Sequence, residues 1–579
     1  MNGFRYLFCL ILTFFLLSFS KNSLAQGFPW ATQLNGVDAG SANSRTTDLA
    51  TDAAGNIYLA GTFNGTVRFG NTDITAFGPF PGVSLPDGFI AKFNAAGVFE
   101  WIETLPSSIG ATVDAIELDA AGNIYLLASF LGGVSLGGTA YGTIDDETGV
   151  LVAKLNPQRE VQWVHSFISE TNFEPVTANT LELGPNGDLF ISGTFEGDMS
   201  LGGFALDAGS IVRWFLGRLR QDGTFLWLKP AGNLLERHSD LAVDAASNVW
   251  LTGTVVDVAD FDGMSINTNG AFTFALVKYD STGAVQWVRS APGQPITSGG
   301  AHNIAVVDPV AGALYVAGGF DSDTFTLGNI QLTAASFCCT DMFVAKYDLD
   351  GTLLWARQSH GPAPEVRAHD IALAPGGGIF IGGTYGSPND SGNPPEELIL
   401  GEGANSVLLN NHSFFDVFLA RYAANGDLKW AANASGSEAD YLTAIHPVGA
   451  DALVFTGQFN DTLQIGNHTL LATPQTFTDN MYLAKYDATV VATHQAGGVL
   501  PEFSVWPNPS SGNIRLQWKN PAGPARLRLL DAGGRVLQTF ELNGEDQLLL
   551  SREGLANGIY YLQLESAGGV AVARFMLAN

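Results

Sequence analysis

Acidic, amide and imidazole side chains return at one place in the sequence, at the start of a short strand-like segment. The set consists of Asp48, Asp240, Asn303 and Asp370, with His302 and His369 adjacent to two of them. If that segment lies innermost in the fold, these six residues converge on one rim, where they could hold a divalent cation or a sugar. Capping of the strand entry by Asp and Asn side chains is the alternative. The sequence identifies no cofactor, and Ca²⁺ is the ion that this set would suit.

A basic residue also returns once in every copy of the same pattern. The positions are Lys92, Lys154, Arg218, Lys278, Lys346, Arg421 and Lys485. A ring of such residues could capture anions, whereas in a structural role each alkyl stem would cover a sheet while its head pairs with an acid. Acids stand five residues before three of them, at Asp87, Asp341 and Asp416. We therefore expect the structural role.

No residue set predicts catalysis. Residues 133–137 (Gly-Val-Ser-Leu-Gly) match the nucleophile-elbow pattern, but an elbow needs a strand–turn–helix context, and this segment lies in a repeat loop. Asp257, Asp260 and Asp262 lack the spacing and the closing Glu of a calcium loop. Trp101 recurs at the same position in six copies, and this recurrence indicates packing between repeats in preference to stacking on a sugar.

The elements that position these residues come from one repeated pattern. Its seven copies end near residues 101, 163, 227, 287, 355, 430 and 494, the last with His494 in place of Trp. The first copy divides into four short strands, at residues 49–51, 56–63, 89–94 and 98–104, joined in part by tight turns that end in Gly. Four strands bury too little surface alone, so we predict that the copies pack radially.

The predicted fold class is therefore all-β: a seven-bladed β-propeller of four-stranded blades, followed by a small Ig-like β-sandwich. A linear solenoid is the alternative arrangement of the repeats. An early strand around Trp30 has the pattern of a fourth strand, and we expect it to pair with the last repeat and close the ring.

The repeats resemble the SBBP-type bacterial β-propeller repeats over most of the chain. The resemblance rests on residues 56–63 (Asn-Ile-Tyr-Leu-Ala-Gly-Thr-Phe) and 89–93 (Phe-Ile-Ala-Lys-Phe). It implies the propeller architecture and is nearly silent on activity, because this family occurs in proteins of unlike function.

A different pattern follows the repeats. Its motif residues are Pro507, Asn508 and Pro509 at the opening, Gly534 and Arg535 in an Asp-x-x-Gly-Arg turn, and Gly558 and Tyr560 in an Asn-Gly-Ile-Tyr strand. In this order they resemble the C-terminal sorting domain of the type IX secretion system. The resemblance implies that residues 499–579 engage the type IX machinery, and that the protein crosses the outer membrane of a Bacteroidota-type Gram-negative cell, to be released or attached to its surface. An ordinary Ig-like binding module is the alternative.

The two ends and the bulk composition bound the location and the partners. Residues 1–25 combine Arg5, an apolar run and small residues before position 26, which predicts a secretory signal peptide. The predicted domains are the signal peptide at residues 1–25, the β-propeller at residues 26–498 and the sorting domain at residues 499–579, and we expect no transmembrane anchor in the mature chain. The net charge of −29 makes nucleic acid and anionic lipid poor partners. Cys338 and Cys339, being adjacent, can form no long-loop disulfide.

Three functions remain open from the sequence. The first is a non-catalytic surface protein that binds a glycan or a protein through the channel and the variable loops, notably residues 386–405, which are long and rich in Pro, Asn and Glu. The second is a secreted polysaccharide hydrolase or lyase, because two carboxylates in a cleft suffice for glycoside cleavage. The third is a structural surface scaffold.

Overall fold

The computed structural model describes most of the chain from residue 27 onward. The described residues are 27–37, 44–77, 85–142, 147–168, 176–209, 211–233, 239–270, 272–291, 303–334, 340–387, 397–411, 414–472, 480–489, 503–506, 510, 512–518, 525–531, 536–542, 547–566 and 569–577. Several sequence predictions lie outside them: the signal peptide, His302, Cys338, Cys339, His494, Pro507, Asn508, Pro509, Gly534 and Arg535. The chain divides into two compact units, one of residues 27–490 and one containing the C-terminal strands.

The larger unit consists of seven antiparallel four-stranded sheets, or blades. The first strands of blades 1 to 7 are Arg45–Thr51, Gly110–Leu118, Thr177–Leu183, Ser239–Val243, Ile304–Asp308, Glu365–Leu373 and Asp440–Gly449. The second strands are Ile57–Phe63, Ile124–Leu131, Leu189–Phe195, Val249–Val255, Ala313–Phe320, Ile379–Gly386 and Ala452–Phe459. The third strands are Asp87–Phe93, Thr148–Leu155, Arg213–Leu219, Thr273–Tyr279, Asp341–Asp348, Phe415–Tyr422 and Asn480–Asp487. The fourth strands of blades 1 to 6 are Phe99–Leu105, Val161–Ile168, Phe225–Asn233, Val285–Ser290, Leu353–Gln358 and Leu428–Gly436.

The seven blades form a closed ring. Each first strand contacts the first strand of the next blade, and that of blade 7 contacts that of blade 1. The predicted seven-bladed propeller is thus confirmed, and a linear solenoid is excluded because its ends would not meet. The one helical element among the described residues is the single 3₁₀ turn Gly403–Asn405.

The N-terminal strand completes blade 7, as the sequence predicted. Trp30–Gly36 pairs antiparallel with the third strand of blade 7 and opposes Trp30 to Lys485. The same register opposes Trp101 to Lys92 in blade 1. Trp30 therefore occupies in blade 7 the position that Trp holds in the other blades.

Every blade carries a further hairpin between its second and third strands, which the sequence analysis did not predict. The hairpins are Thr66–Phe69 with Thr72–Thr75, Val134–Leu136 with Thr139–Tyr141, Asp198–Leu201 with Phe204–Asp207, Val258–Phe261 with Met264–Asn267, Thr324–Leu327 with Ile330–Thr333, Glu397–Leu400 with Val407–Asn410, and Thr462–Ile465 with His468–Leu471. In two cases the hairpin extends the fourth strand of the preceding blade, pairing Asn35 with Arg68 and Ser435 with Gln464. These hairpins account for a repeat longer than the ~40–50 residues of familiar propeller repeats. Ser135, the serine of the elbow-like segment, lies in one of them and not on a strand–turn–helix.

The hydrophobic core lies between neighbouring blades. The second strands are buried at nearly every position because both of their faces pack against another sheet. One cluster, for example, joins Tyr58 and Ala60 of blade 1 to Leu126 and Leu151 of blade 2. This burial explains why the second strand reads as a continuous apolar run.

The recurring basic residues connect blades. Lys278 donates to the carbonyl of Leu349 in the next blade at 2.8 Å, and its ammonium lies 4.9 Å from the ring centroid of Trp250. Lys346 repeats both contacts one blade further on. These contacts support the structural role. The partners of Lys278 and Lys346 are turn carbonyls, whereas three other members of the set pair with an acid, as expected: Lys92 with Glu100, Arg218 with Asp188 and Arg421 with Asp451. The expected pairing with acids five residues earlier does not occur at Asp87, whose carboxylate accepts the amides of Phe77 and Ser107. Five residues of extended strand place such an acid roughly 16 Å away.

The C-terminal unit contains two sheets. One consists of Phe503–Trp506, Ile514–Trp518 and Gln547–Leu550, and the other of Val536–Leu542, Ala525–Asp531, Gly558–Ser566 and Gly569–Leu577. Residues of both sheets, among them Leu516, Leu550, Leu529 and Leu562, share one buried cluster. Among the described residues, no helix has the length and apolar character needed to cross a membrane.

Candidate functional site

The first strands of all seven blades enclose a central channel with a cavity of about 1160 Å³. Because the four strands of a blade alternate in direction, the tight turns after the first and third strands lie at one end, here called the turn end. The opposite end, where the blades connect to one another and to their hairpins, is the loop end. Within the long loop of blade 6, residues 397–400 form one strand of the blade's hairpin and pair with residues 407–410, and residues 388–396 lie outside the described chain.

Three of the predicted site residues occupy one register position in the wall. Asp48 opposes Ala60, Asp240 opposes Thr252 and Asp370 opposes Gly382. The structure therefore brings these carboxylates to the same level of the channel, in blades 1, 4 and 6.

Each of these carboxylates also joins two blades. Asp48 accepts the amide of Ile116 in blade 2 at 2.8 Å, and Asp240 accepts the amide of Ala305 in blade 5 at 2.9 Å. Asp370 accepts the amide of Ile445 in blade 7 at 2.7 Å. The second oxygen of Asp48 and that of Asp370 each accept the next amide of their own strand. The sequence led us to expect that these side chains cap their own strand. In the structure each of them also caps the first strand of the next blade.

Asn303 and His369 also line the cavity, but at other register positions. Asn303 precedes the first strand of blade 5 and donates to the Thr254 hydroxyl at 2.9 Å, between blades 4 and 5. Its register is one residue before that of the three aspartates, because Ile304 opposes Ala317. His369 is the extra residue of a β-bulge, and its Nε2 lies 2.9 Å from the Thr384 hydroxyl.

Two glutamates that the sequence analysis missed face the same cavity. Glu117 opposes Tyr125 in blade 2, and Glu182 opposes Phe190 in blade 3, which is the register position of Ala50 in blade 1. Residue-by-residue alignment of the seven copies would have found them, because each lies two positions after the site of the recurring aspartate.

The channel wall is strongly acidic. Its carboxylates, from five blades, are Asp48, Asp114, Glu117, Glu182, Asp240 and Asp370. Against these six, Arg45 is the only Lys or Arg side chain among the residues that line the cavity. An excess of one charge inside a concave site concentrates ions and ligands of the opposite charge.

Burial among the surrounding strands raises the pKa values of these acids towards neutral pH. Burial raises the pKa of Asp48 and Asp114 to about 7, that of Asp240 to about 6 and that of Glu117 to about 8. Repulsion between the acids adds to this, as the charge of Asp48 raises the pKa of Glu117. Burial and neighbouring carboxylates, Glu117 foremost, raise the pKa of Glu182 well above its usual value. Near pH 7 the wall thus contains both protonated and ionised carboxyl groups.

These groups do not form a compact metal centre. Within the described part of the chain, no three His, Cys, Asp or Glu side chains approach closely enough to ligate one ion. The carboxyls are spread around the wall, an arrangement suited to several separate hydrogen bonds with a larger ligand.

In the C-terminal unit, two predicted motif residues are described. Gly558 begins a strand of the four-stranded sheet, and Tyr560 is buried in the shared cluster with its hydroxyl donating to the Ala556 carbonyl at 2.8 Å. The motif tyrosine therefore stabilises the fold of this unit.

Comparison with known proteins identifies the C-terminal unit and gives weaker similarities for the propeller. Residues 504–578 match the family described as "Secretion system C-terminal sorting domain". An uncharacterized WD repeat-containing protein of Acanthamoeba polyphaga mimivirus is 22% identical over 456 residues, which cover 65% of this chain and 32% of that protein. The chain thus spans about a third of the length of this relative.

Solved structures show similarity at a low level. A fungal alcohol oxidase of the AA5 family in complex with copper has a TM-score of 0.38 at 10% identity, covering 96% of this chain and 100% of that one. The polysaccharide lyase PL25 ulvan lyase has a TM-score of 0.35 at 12% identity, covering 77% and 97%. At these scores neither carries an argument about activity. What the comparisons and the fold together establish is that the chain is a seven-bladed β-propeller protein with a type IX sorting domain, which indicates secretion or attachment to the cell surface.

Proposed function

We propose that the protein is a non-catalytic binding protein of the cell surface, whose ligand is a neutral or amino-bearing glycan held in the central channel. The observation that carries the proposal is the wall of six carboxylates from five blades, facing a cavity of about 1160 Å³ with one guanidinium. The type IX tail supports export, and attachment to the surface of a Bacteroidota-type cell is part of the proposal.

The state of the carboxyls supports a hydroxyl-rich ligand. Burial raises the pKa of Glu117 to about 8 and that of Asp240 to about 6, so near pH 7 the wall as a whole offers protonated carboxyl groups, which donate hydrogen bonds, and ionised ones, which accept them. A sugar hydroxyl both donates and accepts, so a wall with both kinds of group complements it. An amino group would gain further from the excess negative charge.

The same charge argues against anionic polysaccharides. A sulfated or uronate-rich chain would bring its charges against the acids of the wall, with Arg45 alone to compensate. Like charges at close range in a low-dielectric site repel strongly. We therefore expect discrimination between glycans by charge.

A charge reversal inside the channel tests the proposal. The purified chain and its Glu182→Lys variant are titrated calorimetrically with neutral, amino-bearing and sulfated oligosaccharides at pH 7. The wild type should bind a member of the first two classes, and the variant should bind it at least about tenfold more weakly, a loss of ~1.4 kcal/mol. Asp350→Lys, a reversal at an exposed turn of blade 5, is the control that should leave binding unchanged. Absence of binding by all three classes, or equal binding by both variants, would refute a channel site.

One observation favours a second candidate, a glycoside-cleaving enzyme. Asp48 and Glu117 lie on neighbouring blades, and the charge of Asp48 contributes to a pKa of about 8 for Glu117. Neighbouring carboxyl groups with different pKa values can serve as acid and base. Reducing ends measured in the same titrations decide this: new ends that disappear in Glu117→Gln would establish the enzyme, and their absence with binding retained supports the binding protein.

A further inference from the structure

A buried acid with few donors around it lies at the loop end, where blades 6 and 7 meet. Asp440 begins the first strand of blade 7 and is 0% exposed. Neither of its carboxylate oxygens has a donor in normal hydrogen-bond geometry among the described residues, and the backbone amide of Asn460 is the one donor near enough to lower its pKa. Burial of a carboxyl group in this way is unfavourable unless a proton or a cation compensates it. The carboxyl group of Asp440 therefore needs either a bound proton or a nearby cation.

A second buried acid faces the same point. Asp416, at the start of the third-strand segment of blade 6, is also 0% exposed, and its Oδ1 lies 3.4 Å from the amide nitrogen of Gly436. A Cβ placed on Gly436 would lie 2.4 Å from Oδ2 of Asp440. The two carboxylates thus converge on Gly436, where the missing side chain leaves them room.

The charges around this pair are negative. Burial and then the charge of Asp416 raise the pKa of Asp440 well above its usual value. Glu438 acts in the same direction, against a smaller opposing effect of the Asn460 amide. Among the described residues, no Lys or Arg side chain is a cause of this shift.

Blade 1 shows what the same position looks like without the second acid. Asp87 opposes Phe63 as Asp416 opposes Tyr385, and Asp87 accepts the Ser107 amide at 2.8 Å. The position of Asp440, opposite Phe459, corresponds in blade 2 to Ala111, opposite Phe130. The boundary between blades 1 and 2 therefore forms with one aspartate, and the second aspartate at blades 6 and 7 is additional.

We propose that Asp416 and Asp440 bind a divalent cation of the Ca²⁺ type, which joins blade 6 to blade 7 beside the mouth of the channel. Ca²⁺ takes oxygen ligands and accepts backbone carbonyls and water beside carboxylates, so two carboxylates suffice as the charged ligands. With only two such charges, the affinity belongs to the weak class of extracellular sites, with a Kd of ~10⁻⁴–10⁻³ M. The site is separate from the channel carboxylates, so it does not depend on the proposed glycan binding.

The test measures Ca²⁺ and Tb³⁺ directly on the purified full chain. Calorimetric titration with CaCl₂, and Tb³⁺ luminescence excited through the protein's tyrosines, are compared in the wild type, Asp440→Asn, Asp416→Asn and the control Asp87→Asn. The wild type should show a Ca²⁺ site in the range above, and 10 mM Ca²⁺ should raise its Tm relative to EDTA. Each variant of the pair should weaken this site at least about tenfold, whereas Asp87→Asn should lower the Tm without changing Ca²⁺ binding.

Two outcomes would overturn the proposal. One is a wild-type chain that binds neither ion and melts at the same temperature in Ca²⁺ and EDTA, which would mean that the two acids share a proton. The other is Ca²⁺ binding of equal strength in the wild type and in both variants of the pair, which would place the ion in the channel instead. If one variant fails to fold, the other gives the same readout, since each removes one ligand charge.

Discussion

One of the contacts that close the propeller ring is tight enough for a single methyl group to disturb it. Gly97 ends the turn between the third and fourth strands of blade 1, with φ +74°, and an added Cβ would lie 2.7 Å from the indole ring of Trp30. Trp30 lies on the strand that completes blade 7. Gly97→Ala therefore pushes against the contact between the last blade and the first.

The expected loss has two parts. An L-residue with positive φ costs about 1–2 kcal/mol, and overlap with a packed ring costs a further ~1–3 kcal/mol. Gly203→Ala is the matched control, because Gly203 has φ +86° but nothing within 4 Å of an added Cβ. We expect Gly97→Ala to destabilise the chain by about 2–5 kcal/mol and Gly203→Ala by about 1–2 kcal/mol. For a unit of this size, with an unfolding entropy of ~1 kcal/mol/K, these are Tm decreases of roughly 2–5 °C and 1–2 °C in calorimetric scans.

A double-mutant cycle isolates the contact itself. In a Trp30→Ala background, Gly97→Ala should lose the overlap and cost no more than Gly203→Ala does. Equal effects of Gly97→Ala and Gly203→Ala in the wild-type background would refute the reasoning, since the ring would then not depend on Trp30 packing over this turn.

Two further predictions concern the blade contacts and the channel. Lys278→Met keeps the alkyl stem but loses the hydrogen bond to the Leu349 carbonyl and the contact of the ammonium with the Trp250 ring. Urea unfolding should therefore show that the free energy of unfolding falls by about 1–2 kcal/mol. An unchanged unfolding midpoint would contradict the structural role of Lys278. Burial raises the pKa of Asp48 from 3.8 to about 7, so the folded state holds this proton more tightly and its contribution to stability is lost as the pH rises from about 4 to 7. The full shift corresponds to ~4 kcal/mol, and we expect about 2 kcal/mol because the side chain is partly open to the channel. In urea unfolding, Asp48→Asn should make the free energy of unfolding less dependent on pH over this range, whereas the control Asp350→Asn should leave the dependence unchanged. Parallel pH profiles of the wild type and Asp48→Asn would contradict the raised pKa of Asp48.

The architecture could be predicted because each blade repeats the same local chemistry. Two local signals place the strand ends within a few residues of their observed bounds. They are the turns that end in Gly, such as the turn at Gly97, and the apolar second strand, such as Ile57–Phe63. The first strand was predicted too short, at residues 49–51, although it begins at Arg45. Its outer residues face the channel and the neighbouring first strands, so they lack the apolar alternation by which a strand is recognised.

The extra hairpins were missed for a related reason. Thr66–Phe69 and Thr72–Thr75 are only four residues each, and their sequences are polar where they face solvent. Their pairing with the preceding blade is long-range and leaves little local signal. The acids of the channel were predicted only in part. The recurrence of Asp48, Asp240 and Asp370 was visible, but the register position that Glu117 and Glu182 share is acidic in only two neighbouring blades and emerges only when the copies are aligned residue by residue.

The number of blades, the closing strand and the sorting tail could be predicted from the sequence, because they depend on local turn chemistry, periodicity and motif order. Which acids share the channel wall and which are buried in pairs became visible only in the folded chain. Glu117 and Glu182 become neighbours because the ring places successive first strands side by side, and Asp416 meets Asp440 because blades 6 and 7 pack around Gly436. Distances of this kind follow from the closure of the ring, which brings together residues far apart in the chain, so no local pattern encodes them.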